Sequence, residues 1–285
     1  MQTVTALDRS GPRPVQVIAV SGGKGGVGKT NVAVNLAVAM ARRGRKVMLL
    51  DADLGLANVD VLLGLKPPRD IRHVIDGACT LDDILIEGPA GVRIVPAASG
   101  VHRLTRMNER ELAGLIYGFS QVRFPLDTLL VDTAAGIGPH VLSFCRAAQH
   151  VMVVVCDEPT ALADAYALIK VLGRDYGVGR CRVVVNMAAS EAQARAVFAR
   201  LLSVVTRFLD VTLDYAGMVP FDEQLRKAVQ ARSAVVEAYP RARASEAFRR
   251  LAATVDGWPL LEQASGHVQF FLERLVGADA LALAG

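Results

Sequence analysis

Residues 15–53 constrain the fold of this chain more than any other stretch. They join a short apolar run, a glycine-rich turn, a helical pattern and a second apolar run that ends in two aspartates. Residues 15–20 are apolar apart from Gln16 and mostly β-branched, as a strand buried on both faces should read. Residues 23–30 fit G-x-x-x-x-G-K-[ST], the loop that cradles phosphates. Gly25, Gly26 and Gly28 let successive N–H groups turn inward with no Cβ in the way of a phosphate oxygen. Gly23 and Val27 complete the loop, and the helix starting near Thr30 adds its positive end. Lys29 is expected to reach the outer phosphates, and the Thr30 hydroxyl to ligate Mg²⁺. A glycine loop that binds no nucleotide is the plain alternative. A strand before it and a helix after it argue for phosphate.

After Thr30, Val, Ala and Leu recur at helical spacing over residues 31–43, and the pattern stops at Gly44, suited to a helix end. Residues 46–50 form the next predicted strand. It delivers Asp51 and Asp53 to the carboxyl edge of a sheet, where open α/β proteins place ligands. Asp132 closes another apolar run over residues 124–131. An acidic residue there either supports Mg²⁺ or caps the next helix, and the phosphate loop upstream favours Mg²⁺. Gly136 follows in what reads as a second switch.

Lys24 is a second lysine in the loop, and alone it would read as a solvated charge. Within Lys24-Gly25-Gly26-Val27-Gly28-Lys29-Thr30, followed by Asp51-Ala52-Asp53, it resembles the signature of deviant Walker A ATPases of the MinD and ParA kind. That resemblance implies a P-loop three-layer sandwich with a mostly parallel twisted sheet and helices on both faces. It implies ATP and Mg²⁺ as cofactors, with Thr30, Asp51 and Asp132 around the metal. It also implies an ATP-dependent homodimer in which Lys24 crosses to the partner's nucleotide and Asp53 orients the attacking water. Asn186, ending an apolar run at 180–185, would read the adenine edge; bonding to backbone is its ordinary alternative. Pro220 and Asp222, after the last strand at 211–219, would pack near the base.

The wording of residues 51–65 narrows the resemblance to the FleN/FlhG branch. That branch implies restraint of a FleQ-like flagellar transcription activator, and cooperation with an FlhF-type GTPase in setting flagellar number and placement. The Asp-Gln-Ala-x-x-Leu-Arg stretch that stimulates the GTPase in some members is missing from the arm at 1–14, so GTPase stimulation is not expected.

Composition sets the bounds. With 285 residues, 52% hydrophobic and only 5% aromatic, the core must be aliphatic, which suits parallel strands under helices. A net charge of +4 from 32 basic and 28 acidic residues is no nucleic-acid footprint. Arg226, Lys227, Arg232, Arg241, Arg243, Arg249 and Arg250 could face DNA, as in a partition ATPase, but more often such charges are a solvated helix surface. Direct DNA binding is not favoured. Cys79, Cys145, Cys156 and Cys181 lack metal-ligand spacing and read as thiols of a reducing compartment, which discounts an iron–sulfur ATPase. A signal peptide and a membrane span are not expected, and the location is cytoplasmic.

Three regions are expected: an arm at 1–14, the ATPase domain at 15–256 and a tail at 257–285. Other readings along the chain are a helix over 71–86, a strand over 92–96, a helix over 108–119 and a central strand at 150–156. Asp157 or Thr160 is expected to cap the following helix. In the tail, Val268, Phe271, Leu272 and Leu275 fall on one helical face beside Phe270 and Val276. That face resembles the membrane-targeting tail of MinD-like ATPases, which keeps a division-site regulator as a rival and implies peripheral attachment at the inner membrane or pole.

Overall fold

A computed structural model describes residues 14–55, 57–97, 107–260 and 268–271. The strands are β1 (Gln16–Ser21), β2 (Val47–Ala52), β3 (Ile86–Glu87), β4 (Arg93–Val95), β5 (Thr128–Thr133), β6 (His150–Val155), β7 (Arg180–Ala188) and β8 (Thr212–Pro220). They form one eight-stranded sheet in the order β3-β4-β2-β5-β1-β6-β7-β8. Every pairing is parallel except the short β3–β4 hairpin edge.

The helices are α1 (Lys29–Ala41), α2 (Val59–Leu63), α3 (Ile71–Ile75), α4 (Glu109–Gly118), α5 (Pro139–Ala147), α6 (Pro159–Tyr176), α7 (Glu191–Phe208), α8 (Glu223–Gln230), α9 (Val235–Ala238) and α10 (Arg243–Asp256). Alternate residues of the central strands feed opposite layers, as the strand period of two requires. Ile18, Val20, Leu49 and Leu130 pack with α1, α9 and α10. Val17, Met48, Leu50 and Leu129 pack with α4 and Phe144 of α5, while Val151, Val153 and Val183 meet α6 and α7. The result is the expected three-layer α/β sandwich.

Helix α1 is buried on nearly all sides from Val32 to Met40, because the sheet covers one flank and α10 the other. A helix enclosed in this way needs no polar stripe. Asn35 is its buried polar residue, donating to Asn31 O (2.8 Å) and accepting from Val236 N (3.3 Å).

Four local expectations need correction. The helix predicted over 71–86 stops at Ile75, because Gly77 takes a left-handed turn (φ +72°) and Asp83 binds the backbone N–H and hydroxyl of Thr80. The apolar β6 is not the middle strand; β5 and β1 hold that place. Glu158 occupies the N-cap of α6, while Asp157 binds Arg200 and Gln193 of α7.

The tail also departs from its expected helix. Residues 268–271 are coil and turn rather than helix, and Phe270 and Phe271 are buried in the α4–α5 layer. Phe270 stands edge-on to Phe119 at 5.2 Å and stacks with Phe144 at 6.4 Å. Removing two phenylalanines from water contributes roughly 1.5–3 kcal/mol each. That gain outweighs the helical spacing as a guide to where Phe271 lies. Leu272, Leu275 and Val276 fall outside the described residues.

The chain beyond α10 is fixed by a cluster that the sequence reading missed. Arg182 donates to His150 Nδ1 (2.9 Å), so His150 Nε2 carries the proton and donates to Pro259 O (3.0 Å). Trp258 meets the His150 ring edge-on at 5.3 Å, and the Arg182 guanidinium lies 4.4 Å from its centroid. Burial, and then the charge of Arg182, push the imidazole down to about 4. The folded state therefore binds fewer protons than an unfolded chain, whose histidine titrates near 6.5. The stability this contributes is present above about pH 6.5 and is lost as pH falls toward 4, up to roughly 3 kcal/mol. Denaturant titrations across that window, read by the single tryptophan, should show the loss in wild type and a smaller one in His150→Gln. Identical profiles would exclude His150 as the titrating group.

Candidate functional site

The site is built where β1, β2 and β5 end side by side. After Ser21 the chain turns through residues 22–28 and enters α1 at Lys29, with Gly26 and Gly28 left-handed (φ +82° and +88°). An added Cβ at Gly28 would lie 2.3 Å from Asn186 Nδ2, and one at Gly23 would lie 2.1 Å from the Asp164 carbonyl of α6. At Gly25 and Gly26 it would meet nothing within 4 Å. The loop is thus clamped at its ends and open in the middle, as a phosphate cradle needs to be.

Lys29 is 8% exposed, and burial pushes its ammonium down against the opposing pull of Asp132 and Asp53. Asp51 and Asp132 are direct neighbours across β2 and β5. Burial, then the charge of Asp51, push Asp132 up to about 8, while the Thr30 hydroxyl donates to it. Its Oδ1 is buried with no protein partner.

Asp51 is placed differently. Its Oδ2 accepts from Asn58 N (2.9 Å) and Val59 N (3.0 Å), and its Oδ1 from Asp53 N (3.2 Å). Burial raises it to about 6 despite those bonds. Both oxygens thus organise the segment between Asp53 and α2, which the sequence reading did not foresee when it grouped Asp51 with the metal residues.

Among the described residues no three His, Cys, Asp or Glu side chains converge on a metal. Mg²⁺ characteristically takes one or two carboxylates and completes its shell with water and substrate phosphates. The Thr30 hydroxyl and the unpartnered Asp132 oxygen, beside an open anion cradle, fit such a cation together with a polyphosphate.

A cavity of about 680 Å³ runs along this edge. Gly25, Gly28, Lys29 and Thr30 form one wall, and Asp53 and Thr133 also line it. Asn31, Val61, Gln230 and Arg232 line it too, and the sequence reading assigned none of them to the site. Their membership depends on α2 and α8 folding against α1, which local sequence does not encode.

Asn186 is 3% exposed; its Nδ2 donates to Val27 O (2.9 Å), and its Oδ1 is buried without a partner. It shares the backbone-bonding role weighed as the ordinary alternative, yet keeps an unused acceptor. Pro220 ends β8 opposite Ala188. The Asp222 carboxylate caps α8 through Gln224 N (2.8 Å) and accepts from Ala244 N of α10 (2.9 Å), so both its oxygens hold helices. Lys24 lies on the outer side, bonded to Glu158 Oε2 (2.6 Å) and Thr160 Oγ1 (2.8 Å) at the start of α6. The Glu158 hydrogen bond raises its ammonium above the ordinary lysine value. Gly136 is left-handed (φ +91°) and donates to Gly22 O (3.0 Å), tying the turn after β5 to the phosphate loop.

A buried lysine, a glycine cradle at a strand–helix turn and a carboxylate at the end of the neighbouring strand β5 define a P-loop nucleotide-binding α/β protein. Residues 18–235 match the CobQ/CobB/MinD/ParA nucleotide-binding domain, and the chain belongs to that family. Within it, similarity runs to the FleN/FlhG branch. The chain is 61% identical over 263 residues to the antiactivator FleN of Pseudomonas aeruginosa, covering 92% of this chain and 94% of that one. It is 33% identical over 236 residues to the flagellum site-determining protein YlxH of Helicobacter pylori, covering 82% and 80%. The solved structure of the septum site-determining protein MinD from Pyrococcus horikoshii, complexed with Mg-ADP, superposes with a TM-score of 0.70 at 26% identity, covering 85% of this chain and 96% of that one.

Proposed function

We propose that this chain is an ATP-dependent dimerising switch that hydrolyses ATP slowly with Mg²⁺ and restrains a FleQ-like flagellar transcription activator. The observation that carries the nucleotide reading is the unpartnered, buried Oδ1 of Asp132 beside Thr30 and Lys29, at the foot of an open glycine cradle. The flagellar role is supported by the 61% identity to an antiactivator over nearly the whole of both chains.

In this reading Lys29 and the loop amides hold the outer phosphates, and Thr30 with Asp132 holds the cation. The free Asn186 oxygen accepts from the adenine amino group. Bound Mg²⁺ would neutralise charge on the phosphates and orient them. Asp53 positions the attacking water, and Lys24 leaves Glu158 to meet the partner's nucleotide. Asp51 acts through the backbone amides that it binds, keeping Asp53 and α2 in register with the cavity.

Two other partners are weaker. Arg226, Arg249 and Arg250 are tied to Glu223, Pro240 O and Glu246, which supports a solvated helix surface over a DNA face. No helix among the described residues is long and apolar enough to cross a membrane. Peripheral attachment through the expected tail face would need Phe271, which is 2% exposed, to leave its pocket.

The test is affinity capture from cell lysate with Asp53→Ala loaded with ATP. An enhancer-binding flagellar activator should be retained with ATP and absent with ADP. Retention of a division inhibitor, or of DNA alone, would move the chain to one of the rival roles.

A further inference from the structure

Arg232 looks like one more charge on a basic helix surface, but the fold takes it elsewhere. It follows α8 in the left-handed region (φ +54°), which residues with a Cβ seldom adopt. It lines the cavity that contains Lys29 and Thr30. An added Cβ at Gly64, the left-handed end of α2, would lie 3.3 Å from Arg232 Cβ and 3.4 Å from its Cδ. The arginine stem therefore lies against the end of α2, the helix whose start is tied to Asp51.

Arg226, Arg249 and Arg250 of the same basic set each have a protein acceptor. Among the described residues the Arg232 guanidinium has no ion pair or hydrogen bond. A cation with no anion of its own therefore lines the cavity across which the phosphate loop lies. We propose that Arg232 binds phosphate oxygens of the nucleotide in the same subunit. A planar guanidinium suits this, because its forked N–H groups match phosphate oxygens in pairs. The inference rests on the ATP reading of the cavity and adds to it a second cation, which no local motif marks.

The test compares wild type with Arg232→Gly and Arg232→Lys by calorimetric titration with ATP, ADP and AMP, alongside thermal melting. Glycine accepts φ +54° freely, so Arg232→Gly removes the cation while relieving the backbone, and its melting temperature should not fall. Its ATP affinity should drop about tenfold or more, that for ADP less and that for AMP little, with partial recovery in Arg232→Lys. Unchanged ATP affinity in Arg232→Gly would overturn the proposal. An equal loss for all three nucleotides would place Arg232 on the ribose or base and overturn it too. Wild type that binds none of the three would remove the nucleotide reading itself, a separate result.

Discussion

Asp53→Ala is expected to reduce ATP hydrolysis by about a hundredfold or more, while ATP-dependent dimers persist. Asp53 is held through its own backbone. Its backbone N–H donates to Asp51 Oδ1, and Asp51 is itself pinned by the first amides of α2. Asp53 also lines the cavity that the phosphate loop borders. Lys29, Thr30 and Asp132 can hold nucleotide and cation without it, so its removal should spare binding. From the cavity wall Asp53 serves to orient water, and losing that slows chemistry alone. Phosphate release and light-scattering mass under saturating ATP measure the two halves separately. A variant that stays monomeric with ATP would show that Asp53 acts in closing the dimer and not in placing water.

What the sequence made legible was local chemistry. Gly26, Gly28 and Lys29 sit within a few residues of one another, and each residue type has one physical reason to be there. The strands β1, β2 and β5 were readable as apolar runs, β1 leading into the glycine loop and β2 and β5 carrying acids at their ends. What stayed hidden depended on distant partners. Lys24 rests on Glu158 and Thr160, 134 and 136 positions away. Asp51 could be placed at a strand end, but nothing in its neighbourhood says that Asn58 and Val59 will turn back onto its carboxylate. Arg232 read as surface charge because α8 had no visible reason to close over the cavity. The 268–271 segment failed for a related reason: helical spacing describes a face, whereas burial is decided by the pocket that Phe119 and Phe144 provide. The His150–Arg182–Trp258 cluster joins two strand starts to the chain after α10, and no spacing rule connects them.

Lys29→Ala and Lys24→Ala should separate two steps that the same loop serves. Lys29 is buried at the foot of the cradle, with Asp132 and Asp53 drawing on its charge. Removing it leaves the phosphates without their inner cation, and ATP affinity should fall by about a hundredfold or more. Lys24 is not among the residues lining the cavity, and its pair with Glu158 is exposed at 35% and 55% of the two side chains. Losing so exposed a pair should change ATP affinity by less than about threefold. The dimer behaves differently. In the single chain Lys24 is held by water-exposed groups that contribute little, so a phosphate excluded from water across an interface can outcompete them. Nucleotide-dependent dimerisation should therefore vanish in Lys24→Ala although ATP still binds. Fluorescent-nucleotide titration and size-exclusion chromatography with ATP provide the two readouts. An equal loss of affinity in both variants would put Lys24 on the nucleotide of its own subunit, and the crossing role would have to be given up.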